Sequence, residues 1–164
     1  MNIRKNFLEG MSKAACTVSV ITAEYGGEDF GVTVSAMCSV SADPPSLLVC
    51  IHNMSPACKA IMASQYFCVN VLKGSQSDIA DTFAGRIKTE DGNKFSCAEW
   101  VKRPCGALAM QDALVVFDCE LKEHTRCGSH YIFIADVADI TCLEMGQPLI
   151  YADRAYGMPQ KFVS

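Results

Sequence analysis

Between Thr33 and His52 the chain reads TVSAMCSVSADPPSLLVCIH, and its side chains alternate in chemistry. Thr33, Ser35, Ser39 and Ser41 share one parity, interrupted by Met37; Val34, Ala36, Cys38, Val40 and Ala42 share the other. Successive side chains of an extended strand point to opposite faces, so one strand over this stretch would carry a row of hydroxyls. Such a row is either a solvated face or the wall of a pocket that hydrogen-bonds a ligand without charge of its own. Two cations extend the second reading. Lys59 lies one turn into a helix opened by Ser55 and Pro56, and Arg86 follows Phe83, Ala84 and Gly85. Helix N-termini and cations are what a phosphate needs; ordinary solvent-facing charge is the plainer account of each.

Other chemistries find little support. The sequence holds no G-x-S-x-G elbow, Walker loop, H-E-x-x-H or G-x-G-x-x-G. Its three histidines, at 52, 124 and 130, lack carboxylates at metal-ligand spacing. Ten cysteines invite a disulfide or zinc reading, but no two are closer than eight residues and no Cys-x-x-Cys occurs. Many sit in apolar runs, such as Cys50 in LLVCI and Cys68 in YFCVNV, which points to core packing. Cys127, beside Gly128 in a turn, is expected to be exposed.

The elements that must position these residues follow from periodicity. Ile3, Phe7, Leu8 and Met11 recur at helical intervals and predict a helix over 2–15. CTVSVITA, residues 16–23, predicts a strand; Gly26-Gly27 turns it back toward the 33–42 strand, which Pro44-Pro45 ends. Ser46 to Ile51 is an apolar run typical of a buried strand. A helix is expected over 53–65 with Ser55 as N-cap and Pro56 at its first position. Strand 66–72, a short helix from Ser77 to Phe83-Ala84 closed by Gly85, and a polar surface excursion over 87–106 come next. Two long β runs, 113–124 and 130–143, flank Cys127-Gly128-Ser129, and LIYAD precedes a tail with Arg154 and Tyr156. Strands dominate without regular strand–helix alternation, which predicts a mainly β barrel with helices packed outside.

At 164 residues, half of them hydrophobic, the chain reads as one domain, 1–164. A net charge of −4 without a basic patch gives no reason to expect nucleic acid or an anionic membrane as partner. No stretch has the length of a signal-peptide core or a membrane span, so a cytoplasmic location is expected.

The blocks GVTVSAMCSVSADPPSLLVCIHNMS, YFCVNVL, DTFAGR, GSHYIFIADV and PLIYADRAY, in this order, resemble the flavin reductase-like family. Within it they are most similar to the small reductase components of two-component aromatic monooxygenases. The resemblance runs from the first helix to about Tyr156. It implies a Greek-key split β-barrel with flanking α-helices, binding FMN or FAD and working as a homodimer. It implies NADH or NADPH as hydride donor and a separate flavin-dependent monooxygenase as recipient of the reduced flavin. Carried over residue by residue, it sets Thr33, Val34, Ser35 and Ala36 at the ring edge, with Ser39 and Val40 continuing around the flavin. Cys50, Ile51, His52, Ser55 and Lys59 fall near ribityl and phosphate, and Phe83, Ala84, Gly85 and Arg86 also touch flavin. His130, with Tyr151, Arg154 and Tyr156, falls where nicotinamide arrives, and His130 is the candidate catalytic residue. Two rival classes stay open on sequence: a flavin-binding electron carrier reduced by another protein, and a thiol-based redox sensor.

Overall fold

The structure is a computed structural model that describes residues 2–162. In chain order its elements are α1 (Ile3–Ser12), β1 (Cys16–Thr17), β2 (Ser19–Tyr25), β3 (Glu28–Val34), β4 (Met37–Ala42), β5 (Pro45–His52), α2 (Pro56–Ser64) and β6 (Tyr66–Val71). There follow α3 (Ser77–Phe83), a 3-10 turn at Lys94–Cys97, β7 (Trp100–Lys102), β8 (Leu108–Met110), β9 (Val115–Cys127), β10 (His130–Cys142), β11 (Ile150–Ala152) and β12 (Ala155–Gly157).

Seven strands form one antiparallel sheet in the order β3-β2-β6-β9-β10-β5-β4. Its two edge strands, β3 and β4, are consecutive in the chain and separated only by Ser35 and Ala36. The edges must therefore converge there. The Cys50 amide donates to the Ala36 carbonyl at 3.0 Å, which carries the β4–β5 pairing up to the link itself, and β3 lies beside β5 there. The result is the split barrel expected from the resemblance.

This closure explains why the hydroxyl row expected over 33–42 does not exist as one wall. β3 pairs with β2 and β4 with β5, so the chain must break direction at Ser35-Ala36. A register shift between Ser39 and Ser41 breaks the alternation again. Thr33 spends its hydroxyl on the Ala80 carbonyl of α3 (2.7 Å), and Ser41 bonds to Asp43 backbone. The strand does end at Ala42, ahead of Pro44-Pro45 as expected, but Pro45 itself opens β5 opposite Ala42.

Two apolar cores lie on opposite faces of the sheet. In the lumen, Ile21, Leu47, Val49, Ile51, Phe67, Val69, Phe133 and Ala135 meet, and α2 adds Cys58, Ala60 and Ile61. Outside β2 and β6, Val20, Cys68, Leu72, Phe83, Ala109, Met110 and Leu149 form the second core. Strand β2 is buried on both faces over Ser19–Ala23 for this reason. The second core corrects the surface excursion expected over 87–106. Phe95 and Trp100 pack edge to face on Phe83, with ring centroids 5.1 and 5.6 Å away. Asn70 joins the β7–β8 hairpin to the barrel, accepting from Met110 N (2.7 Å) and donating to the Val20 carbonyl (3.0 Å). Polar composition between the aromatic anchors hides this packing from periodicity.

The expected first helix forms but is shorter, and no residue of it is buried. Its apolar stripe of Ile3, Phe7, Leu8 and Met11 faces solvent, Ile3 and Phe7 being 72% and 62% exposed. Among the described residues no helix is long and apolar enough to cross a membrane.

Phe83 packs so closely on β3 that a Cβ at Gly31 would fall on its ring. Gly31→Ala is therefore expected to destabilise the fold by about 1–3 kcal/mol, the cost of overpacking. Equilibrium denaturation with urea checks this.

Candidate functional site

At the point where the barrel splits, Val18, Thr33, Val34, Ser35, Ala84, Arg86, Tyr151 and Tyr156 line a cleft of about 170 Å³. Each arrives on a different support. Thr33 and Val34 end β3, Ser35 is the link to β4, and Tyr151 and Tyr156 face each other across the β11–β12 hairpin. That hairpin turns at Asp153-Arg154, both in the left-handed region (φ 51° and 62°). The tyrosine ring centroids are 5.4 Å apart at 64°. Arg86 follows α3, which ends at Phe83 with Ala84 as its C-cap and reverses at Gly85 (φ 78°). The Thr33 hydroxyl bond to Ala80 ties α3 to β3, so one half-buried bond sets Arg86 against the β3 end of the cleft.

Asp81 organises the charge. Its Oδ1 accepts from Arg86 Nη1 (2.9 Å) and from the Tyr156 hydroxyl (2.8 Å), while its carbonyl accepts the Arg86 amide (2.8 Å). Burial, the hydrogen bond to Asp81 and the carboxylate charge push the Tyr156 phenol up to about 12. The Asp81 bond likewise raises Arg86. Arg86 is thus held as a cation with Nε and Nη2 making no hydrogen bond among the described residues. Asp81 was not among the candidate residues. Its signal was present in DTFAGR, five residues ahead of Arg86, where a carboxylate can turn back on the guanidinium.

A second groove of about 400 Å³ adjoins the first through Ser35 and Tyr151 and adds Leu8, Met11, Ser12 and Arg154. Arg154 is anchored there by Glu9 (Nη2 to Oε2, 2.7 Å). The two grooves together gather Thr33, Val34, Ser35, Ala84, Arg86, Tyr151, Arg154 and Tyr156 of the candidate set.

The remaining candidates lie elsewhere. Ala36 and Cys50 meet through the hydrogen bond that extends the β4–β5 pairing. His52 and His130 are register partners two rungs beyond Cys50 and Ile132, both exposed, with ring centroids 5.2 Å apart at 75°. The Ser129 hydroxyl lies 2.9 Å from His130 Nδ1. Ser39 lines a different groove with Phe117 and Val137, and Val40 is an exposed residue of edge strand β4. Ile51 and Phe83 have their side chains fully inside the two cores, which leaves only their backbones for a ligand. Ser55 caps α2 by position without a side-chain hydrogen bond, and Lys59 is exposed. Pro56 and Ala57 line a third cleft, of about 220 Å³, with Phe30 and Asn93.

The cleft at the split offers two aromatic rings, small side chains at Ser35 and Ala84, and a fixed cation. This donor set suits a flat, largely apolar ring with an anionic tail. The sequence model of the flavin reductase like domain matches residues 11–159. The chain belongs to this family.

Known members are similar over most of the chain. FMN reductase (NADH) RutF 2 of Rhizobium rhizogenes is 35% identical over 153 residues, 93% of this chain and 87% of its own length. The crystal structure of flavin reductase PheA2 superposes with a TM-score of 0.87 at 29% identity, covering 98% of this chain and 100% of that one. BorF, the flavin reductase component of a bacterial two-component tryptophan halogenase, gives a TM-score of 0.85 at 25% identity, covering 96% and 99%.

Asp81→Asn removes the carboxylate that holds the Tyr156 proton. The Tyr156 phenol is expected to fall from about 12 toward the ordinary tyrosine value, with burial keeping it above that value. Ultraviolet titration of phenolate, assigned by subtracting Tyr156→Phe, measures the shift.

Proposed function

We propose that this chain is an NADH-dependent flavin reductase that releases reduced flavin to a separate flavin-dependent oxygenase. Its flavin is FMN or FAD, and the name of its Rhizobium relative favours FMN with NADH over NADPH. The one observation that carries the reading is the cleft at the split of a flavin reductase-like barrel. There two tyrosines and a carboxylate-aimed arginine converge on Ser35.

The bound pair of cofactors supplies the chemistry, hydride exchange between two planar rings. The chain supplies place and dryness. Val18, Val34, Tyr151 and Tyr156 form the water-excluding wall against which a planar ring rests. Arg86, with two nitrogen donors to spare, holds an anionic tail, and the α2 terminus with Ser55 and Lys59 offers a second such grip. His130 would meet the nicotinamide from outside this cleft, and His52, its register partner, the ribityl and phosphate side. No proton transfer is required of them, because hydride transfer needs the rings stacked within about 3–3.5 Å rather than an acid or base.

Three features support a homodimer. The cleft of about 170 Å³ is smaller than the roughly 300–1,000 Å³ of enclosing ligand sites. The outer face of β4, β5 and β10 carries Cys38, Leu48, Cys50, Ile132 and Ile134, all accessible and apolar. The α1 stripe is uncovered as well. A second copy laid on these surfaces would deepen the cleft. The oxygenase partner is supported by BorF, which belongs to a two-component system. The chain works as one domain, since both cores are built on the same strands, and as a cytoplasmic protein, where the NADH pool lies.

NADH oxidation with added FMN or FAD tests the reading, and flavin-dependent turnover is the expected result. Arg86→Ala should weaken flavin binding by about 1.5–3 kcal/mol, the value of a hydrogen bond to a charged group. His130→Ala should raise the KM for NADH or lower kcat while leaving flavin affinity near wild type. Absence of turnover with either flavin and either nucleotide would end the proposal.

A further inference from the structure

Outside the flavin cleft, one rung across β2, β6 and β9 is polar: Thr22, Cys68 and Asp118 are register partners, all buried. The turn between β7 and β8 closes over this rung and is fastened at both ends. Arg103 donates Nε to both Asp118 oxygens (3.1 and 2.8 Å), and the Leu108 carbonyl accepts from the Thr22 hydroxyl (2.5 Å). The turn itself is tight. Arg103 and Ala107 are joined by a backbone bond of 2.9 Å, and Gly106 (φ 92°) donates to the Arg103 carbonyl at 2.9 Å. With its ends pinned to the two outer members of the rung, the turn sets Cys105 over the middle one, Cys68. Cys105 packs against the same buried cluster, of which Cys68 is a member.

The pair is asymmetric in the way a redox dithiol requires. Cys105 is half-buried, and the adjacent Cys68 side chain and the Ala107 amide bring it down to about 6 despite burial and the Asp118 charge. Cys68 is fully buried, donates to Asp118 Oδ1 (3.3 Å) and is held protonated. An accessible thiolate beside a buried thiol is the arrangement in which one sulfur is oxidised and the other resolves it.

We propose that Cys68 and Cys105 form a reversible dithiol–disulfide pair oxidised by hydrogen peroxide. The Cys105 thiolate attacks one peroxide oxygen, the O–O bond breaks, and the departing hydroxide is protonated to water, leaving a sulfenic acid. Cys68 then attacks the Cys105 sulfur and the S–O bond breaks. The Cys68 proton passes through Asp118 Oδ1 to the leaving hydroxide. Two thiols give up two electrons, and one peroxide becomes two waters. The disulfide staples the β7–β8 hairpin to β6. That peroxide is available to this protein rests on the reductase reading, since free reduced flavin yields peroxide on meeting dioxygen; the chemistry of the pair does not.

The test uses the reduced full-length protein and added hydrogen peroxide, without flavin or nucleotide, so that it stands apart from the reductase assay. After alkylation in denaturant, peptide mapping should find Cys68 joined to Cys105, reversibly by dithiothreitol. Cys105→Ser should leave Cys68 alkylatable, and Cys68→Ser should leave Cys105 as a sulfenic acid captured by dimedone. Circular dichroism checks that both variants fold, and the wild-type map stands without them. The proposal is overturned if both thiols stay free while exposed Cys38, Cys127 or Cys142 oxidise, or if wild-type Cys105 oxidises without bridging.

Discussion

The constraint on which the rest depends is that the two edges of the seven-stranded sheet are neighbours in sequence. Because β3 and β4 are joined by only Ser35 and Ala36, the sheet cannot stay open at that end. The Cys50 amide, bonded to the Ala36 carbonyl, carries the β4–β5 pairing up to that link, where β3 lies beside β5. Elsewhere the edges diverge, and α2 fills the lumen with Cys58, Ala60 and Ile61. The cleft lies where convergence ends, so its position follows from connectivity rather than from any one side chain.

Around that cleft, packing and electrostatics divide the work. The second core fixes α3 by burying Ala80 and Phe83 against β2 and the aromatic pair Phe95 and Trp100. The half-buried Thr33 bond holds α3 to β3. Asp81 then converts a rigid helix into a rigid cation, by taking one nitrogen of Arg86 and the hydroxyl of Tyr156. An exposed arginine without such a partner would lose side-chain entropy on gripping a ligand. Here much of that ordering is already done when the chain folds.

Much of this was legible in the sequence. Strand periodicity and the Pro, Gly and Ser signals placed α2, β6, α3 and the two long strands within a few residues, because each is a local pattern. The order of blocks gave the barrel and most residues of the cleft. What could not be read was long-range. Whether 33–42 is one strand or two depends on which partners lie on either side, and the hydroxyl row dissolves once β3 and β4 pair separately. The hairpin over 87–110 hides because its anchors, Phe95, Trp100 and the Arg103–Asp118 pair, are isolated in polar sequence. Burial of Ile51 was legible in its apolar run, whereas Phe83, expected to touch flavin, was not legible as a core side chain, since its burial depends on the distant Phe95 and Trp100.

The central claim is that a flavin ring rests in the cleft between Ser35, Arg86 and the two tyrosines. Titrating the isotope-labelled protein with FMN and following backbone amide shifts tests this most directly. The account predicts that the largest perturbations cluster at 33–36, 84–86 and 151–156. Perturbations confined to the separate cleft beside α2, at Phe30, Pro56 and Asn93, with those segments unmoved, would contradict it.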